Sequence, residues 1–287
     1  MNHVLVLTAA RSLGAASIEA ALAALPNASA PARLAENAAE VDYVGPRETV
    51  EGVRVALAGA EVDANVVPAK GRAKSLLISD MDSTIIPVEC IDEIADFAGV
   101  KNKVAPITEA AMRGELDFDG ALRARVGLLK GLPEAALQQV FDERITLNPG
   151  AAELVAGMKA AGALTALISG GFDFFTSRVG EAAGFERRQA NRLIAEGGAL
   201  TGEVADPILG REAKLAALEA LTAEIGVSPA DAVAVGDGAN DLAMIRASGL
   251  GVAYRAKPAV AAEADARLDF SDLTAILHLQ GLPVPNR

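Results

Sequence analysis

The sequence predicts a doubly wound α/β fold with a mostly parallel sheet, broken by a helical insertion and preceded by a small α+β segment. Continuous apolar runs recur at Leu76–Ile78, Leu164–Ile168, Ala232–Val235 and Leu250–Ala253. Their length and lack of polar alternation suit a sheet covered on both faces. Helix-like stretches closed by Gly162, Gly184 and Gly226 lie between them. From Pro87 to Leu147 no comparable strand occurs, only helical spacing.

Taken in order, residues 1–72 read as an N-terminal α+β domain with a β-α-β-α-β rhythm. It comprises a strand at Val4–Thr8, a helix around Ser17–Leu25, an extended piece, a helix around Thr49–Gly59 and a strand at Val62–Val67. "PAKGRAK" (68–74) reads as a polar linker punctuated by Pro68 and Gly71. Residues 73–87 and 148–287 form the sheet domain, with 88–147 inserted as a helical cap. In that insertion Val88, Ile91, Ile94 and Phe97 recur at helical spacing and stop at Gly99. Further helices are expected around 105–113, 118–130 and 133–142. Asn148-Pro149 supplies an N-cap and a first-turn proline for the next helix. Near 190–207 the pattern alternates about Gly197-Gly198, as in a β-hairpin.

The balance of 51% apolar and 22% charged residues over 287 positions is that of a globular protein. A net charge of −12, 3% aromatic residues and no Trp argue against a nucleic-acid surface or an anionic membrane surface. The one cysteine, Cys90, forms neither an internal disulfide nor a thiolate metal cluster and reads as a small buried residue. The N-terminal "HVLVLTAAR" lacks the basic start of a signal peptide, so a cytoplasmic protein is expected. His3 and His278 lie outside every motif.

"LLISDMDSTIIP" sets Asp80 and Asp82 one residue apart where a buried strand ends. Ser169-Gly170-Gly171 and Gly236-Asp237-Gly238-Ala239-Asn240-Asp241 follow two of the other strands. Open α/β sheets bind ligands at the carboxyl ends of their strands, so the three segments converge. Four carboxylates in one crevice call for a cation, and all-oxygen ligation suggests Mg²⁺. Beside it, one carboxylate at 80 attacks phosphorus while the other, at 82, carries a proton to the leaving oxygen and later takes one from water. The SGG segment offers a hydroxyl and glycine N–H groups to an anion, with Lys214 or Arg211 as the compensating cation.

With these residues assembled, the chain resembles the haloacid dehalogenase superfamily of aspartate-nucleophile phosphotransferases. The resemblance rests on "DMDST" (80–84), "VECIDEIADFAGV" (88–100), "LRARVGLLKGLP" (122–133), "SGGFDFF" (169–175), "ANRLI" (190–194), "LTGEV" (200–204) and "AVGDGANDLAM" (234–244), and covers roughly 75–280. It implies a Rossmann-like core and Mg²⁺-dependent hydrolysis of O-phospho-L-serine through an aspartyl-phosphate, a step of serine biosynthesis, with D-phosphoserine as a second substrate to be tested. It makes Asp80 the nucleophile and Asp82 the general acid/base. Mg²⁺ is held by Asp80, the Asp82 backbone carbonyl and Asp237, with Asp241 nearby. Ser169 and Lys214 hold the phosphoryl group, and Gly170 and Asn240 contact the substrate. The cap closes over the site, with Glu89 facing an ammonium, Arg125 a carboxylate, and Met112 and Phe118 as apolar walls. Spacing alone leaves Arg123 equal to Arg125; the motif prefers Arg125.

Bacterial relatives often carry an N-terminal module of the amino-acid-binding ACT type, of which residues 1–72 resemble a shortened version. No binding motif is visible there, so packing or homodimerisation competes with effector binding. Two other functions stand beside hydrolysis: phosphoryl transfer from phosphoserine to homoserine, and a phospho-accepting receiver domain. A receiver lacks both the long insertion and an acid at the position of Asp82.

Overall fold

The computed structural model describes residues 2–112 and 115–285; within the helix that ends at 112, the side chains of residues 105, 109, 111 and 112 are outside the described part. The first unit is β1 (Asn2–Ala9), α1 (Ala15–Ala23), β2 (Ala32–Ala35), β3 (Ala38–Val44), α2 (Thr49–Ala56) and β4 (Val62–Pro68). Its antiparallel sheet has the order β2-β3-β1-β4, the βαββαβ pattern of a ferredoxin-like fold. The expected extended piece is thus a hairpin, β2–β3, whose Ala-rich strands give little β signal.

Alternation along β1 gives its two faces different jobs. Leu5 and Leu7 pack with Val53 and Val66 beneath the unit's own helices. Val4 and Val6, with Val67 of β4, join the large apolar cluster of the second unit. Each valine so buried contributes on the order of 1.5–3 kcal/mol. The second unit begins with β5 (Leu76–Ser79) and continues through the helices α3 (Cys90–Phe97), α4 (Lys101–Met112), α5 (Phe118–Gly127) and α6 (Ala135–Arg144). Then come α7 (Ala151–Ala160), β6 (Leu164–Phe172), α8 (Asp173–Ala183), β7 (Arg187–Asn191), β8 (Leu193–Glu196), β9 (Ala199–Val204) and α9 (Arg211–Glu224). The chain closes with β10 (Ala232–Gly236), α10 (Leu242–Ala247), β11 (Leu250–Tyr254), α11 (Pro258–Ala261), β12 (Ala266–Leu268) and α12 (Ala275–Leu279).

Six strands form one sheet in the order β12-β11-β10-β5-β6-β7, parallel at every pairing. Leu77 of β5 faces one apolar cluster, while Leu76 and Ile78 face another. Both faces are therefore covered, which explains the continuous apolar run. The chain leaves β5 toward β6 and β7, then returns to its other side with β10, β11 and β12. That reversal beside β5 is the switch point where ligand crevices open. Helices α3–α6 interrupt the sheet directly after β5, and Ile91, Ile94, Leu122, Val126 and Leu137 share the cluster of Leu77.

Helix α7 starts at Ala151, two residues later than the sequence signal, and Asn148 does not cap it. Its side-chain amide instead donates to the Thr84 carbonyl at 2.8 Å, and its backbone N–H to that of Ile85 at 2.8 Å. The start and finish of the helical insertion are thereby pinned together. The 68–74 segment is likewise anchored: Arg72 donates to the Leu279 and His278 carbonyls and pairs with Glu40.

Candidate active site

The carboxyl ends of β5, β6 and β10 bring the three polar segments together. Asp80 directly follows β5, its N–H donating to Val235 O of β10 at 3.0 Å. Its Oδ1 accepts the Met81 N–H at 2.7 Å and lies 2.7 Å from Lys214 Nζ. Lys214 comes from the first turn of α9 and is buried, whereas Arg211 is exposed. Of the two cations that spacing could not separate, Lys214 is the one that reaches the crevice floor. It also lies 2.5 Å from Asp241 Oδ1. Burial pulls this ammonium down, but Asp80 and Asp241 overcome that and hold its pKa above the ordinary lysine value.

Asp241 shapes the loop that carries it. Its Oδ2 accepts the N–H groups of Asp237 at 3.2 Å and Gly238 at 3.0 Å. A Cβ on Gly236 would lie 2.3 Å from Asp241 Cγ, so only glycine lets the loop close. Thr84 Oγ1 donates to Asp237 Oδ1 at 3.4 Å. Asp80, Asp237 and Asp241 each offer an oxygen, all within 4.8 Å of one another. Burial, with Asp80 adding to it, pushes Asp237 up to about 6 and Asp241 up to about 7. A cluster of hard oxygen donors whose charge is this poorly compensated fits a divalent cation.

Asp82 points elsewhere. Its Oδ1 accepts the Cys90 N–H at 3.0 Å, and its Oδ2 the Ser169 hydroxyl at 3.3 Å. Burial, then Glu89 and Asp80, push its carboxyl up to about 7. Two acids one residue apart thus have different surroundings: one sits against an ammonium, the other away from it. Ser169 Oγ also accepts the Gly171 N–H at 2.8 Å. A Cβ on Gly171 would fall 2.7 Å from Asp82 Oδ2, so the close approach of the two segments requires glycine there. Asn191, in the "ANRLI" segment, accepts the Leu209 N–H at 2.7 Å and donates to Gly170 O at 2.9 Å, holding two loops of the site.

Above these groups lies a cavity of about 330 Å³, lined by Asp80, Asp82, Asp237 and Asn240 below and by Glu89, Asp92, Phe118 and Arg125 from the insertion. That is the small end of the ~300–1,000 Å³ common for small-molecule sites. Gly170 lies beneath Phe118, whose Cζ would stand 3.1 Å from a Cβ there. Arg125 lines the cavity, its Nε donating to Ala121 O at 3.2 Å. Burial lowers its guanidinium's pKa, opposed by Asp92 and Glu89. Arg123 points away and pairs with Asp206 at 2.5 Å. The Met112 side chain lies outside the described residues. Thr84 and Asp92, which lie inside quoted motifs but carry no expected role, also belong to the site region, as does Lys257, which lies outside every motif.

The family model for haloacid dehalogenase-like hydrolases matches residues 77–246. A phosphoserine phosphatase of Albidiferax ferrireducens is 48% identical over 210 residues, covering 71% of this chain and 88% of that protein. A solved HAD family hydrolase from Salmonella enterica superposes with a TM-score of 0.88 at 29% identity, covering 97% of this chain and 98% of that one. A solved phospho-aspartyl intermediate analogue of phosphoserine phosphatase gives a TM-score of 0.66 at 42% identity, covering 72% and 98%. With the parallel sheet, the carboxylate cluster and the Lys214 contact already in place, these likenesses settle the lineage. The chain belongs to the haloacid dehalogenase-like hydrolase family, is similar to phosphoserine phosphatases, and is a phosphatase.

Proposed function

We propose that this chain hydrolyses O-phospho-L-serine to serine and phosphate through an aspartyl-phosphate on Asp80, with Mg²⁺ as cofactor, in cytoplasmic serine biosynthesis. The observation that carries this reading is the contrast in surroundings between Asp80, against Lys214, and Asp82, against Ser169 and the Cys90 N–H. Asp80 Oδ1 is engaged by Lys214 and the Met81 N–H, which leaves Oδ2 for attack on phosphorus. As that bond forms, the bond from phosphorus to the serine oxygen breaks, and Asp82 protonates the departing oxygen. A carboxyl held up at about 7 is protonated in about half the molecules at neutral pH, so both the acid and the base form are at hand. Asp82 then takes a proton from water, which attacks phosphorus, releases phosphate and restores Asp80.

Asp80, Asp237, Asp241 and the Asp82 carbonyl would hold Mg²⁺, which supplies charge neutralisation for the phosphoryl oxygens. Ser169, Gly170, Lys214 and Asn240 position the phosphoryl group. Glu89 takes the substrate ammonium, Arg125 grips its carboxylate bidentately, and Phe118 and Met112 form apolar walls. The insertion, residues 88–147, acts as the cap that excludes water during the first step. We read residues 1–72 as a domain for packing, with homodimerisation through it to be checked by sedimentation.

Phosphate release from a panel of small phosphomonoesters, with and without EDTA, tests the reading. O-phospho-L-serine is expected to be the best substrate, with activity lost in EDTA and restored by Mg²⁺. Running both enantiomers reports stereospecificity, and adding homoserine reports transfer: O-phosphohomoserine in place of free phosphate would overturn hydrolysis. Equal turnover of every ester would overturn the substrate assignment.

A further inference from the structure

Ser83 has no role in the account so far, yet its geometry is unusual. Its φ is +56°, the left-handed region that residues with a Cβ rarely adopt. In that conformation its N–H donates to Val88 O at 3.2 Å and its hydroxyl to Glu89 Oε1 at 2.8 Å. The neighbouring Asp82 accepts the Cys90 N–H at 3.0 Å. Residues 82–90 are thus a loop drawn closed by three bonds, with Glu89 held at one side and Asp82 at the other. Strain at a non-glycine residue persists only where the surroundings over-determine it, and it concentrates at ligand sites.

We propose that Ser83 is the positioning residue for recognition of a positively charged group on the substrate. Its hydroxyl occupies one oxygen of Glu89 and fixes the carboxylate's orientation, leaving the other oxygen to accept from an ammonium. A free Glu89 would have to give up side-chain rotamer freedom each time a ligand bound; the serine removes that cost beforehand. The proposal rests on the reading of the site as one for O-phospho-L-serine.

The test compares O-phospho-L-serine with 3-phospholactate, which keeps the carboxylate and phosphate but has a hydroxyl in place of the ammonium. Ser83→Ala removes the hydroxyl and keeps the disfavoured backbone; Ser83→Gly removes the hydroxyl and relieves it. Both variants are expected to raise KM for phosphoserine about tenfold, the weight of one hydrogen bond to a charged group. kcat should stay near wild type, as should KM for 3-phospholactate. Added to Glu89→Gln, Ser83→Ala should cause no further rise. Equal losses on both substrates, an unchanged KM for phosphoserine, or additivity with Glu89→Gln would overturn the role of Ser83 alone. A wild-type enzyme inert on phosphoserine would instead overturn the functional reading on which it rests.

Discussion

Lys214 Nζ and Asp241 Oδ1 lie 2.5 Å apart with side chains 2% and 0% exposed, and the same ammonium is 2.7 Å from Asp80. Removing one member of a buried ion pair leaves its partner without compensation. Lys214→Met therefore turns two carboxylates against each other and is expected to cost about 3–5 kcal/mol by urea unfolding of the metal-free protein. Turnover should vanish as well. Unchanged stability would mean that the lysine is not the clamp between β5 and the α10 loop.

Asp80→Asn removes the attacking oxygen and is expected to abolish turnover with the fold intact by circular dichroism. Asp82→Asn should slow turnover by about 10²–10⁴-fold, the usual loss for a missing general acid/base. Rapid quenching followed by mass spectrometry should find phosphate on residue 80. Label on any other residue would sink the mechanism.

The two neighbouring arginines should behave differently. Arg125→Ala is expected to lower kcat/KM for phosphoserine by about 10²-fold, as for a lost charge-assisted contact. p-Nitrophenyl phosphate, which has no carboxylate, should be little affected. Arg123→Ala breaks the exposed pair with Asp206 and should leave both substrates near wild type.

The carboxylate cluster predicts how metal and pH act together. Folded values of about 6 for Asp237 and about 7 for Asp241 exceed the unfolded 3.8. Such groups favour the folded state below the unfolded value, and that contribution is lost as pH rises through the folded one. Without metal, Tm should therefore fall between roughly pH 4 and pH 7 on their account. Mg²⁺ needs the deprotonated ligands, so its stabilisation should be large near pH 8 and small near pH 5. A Tm shift of equal size at both would separate the cation from these aspartates.

Asp63 of β4 is buried and accepts the N–H groups of Asp269 at 2.8 Å and Ser271 at 2.8 Å. Asp63→Ala strips these donors of their partner and should destabilise the protein by on the order of 3 kcal/mol. kcat should not change, since the contact lies at the junction of the two sheets rather than in the cavity. A large fall in kcat would instead tie the N-terminal unit to catalysis.

Strands β5, β6, β10 and β11 were legible because strands buried on both faces are continuously apolar. β7, "RRQAN", was not legible as a sheet strand: it is an edge strand with mostly polar residues, and only its place beside β6 makes it one. The hairpin β2–β3 was hidden by alanine, and the start of α7 by Asn148, whose amide is drawn away to Thr84. In the site, the acids were readable because their order along the chain matches strand ends. Which basic side chain reaches them was not legible from spacing, because Lys214 and Arg211 are three residues apart on one side of a helix and only the tertiary packing buries Lys214; the family resemblance chose Lys214. Asp92 and Lys257 needed the tertiary arrangement, being brought to the cavity from separate segments, as did the contact of Thr84 with Asp237.

Asn148 staples the two ends of the inserted helices to the backbone of Thr84 and Ile85, close in the chain to Asp80 and Asp82. The same insertion also holds Asp82 through the Cys90 N–H, so a segment grafted between those ends has to supply that donor as well as the two moorings.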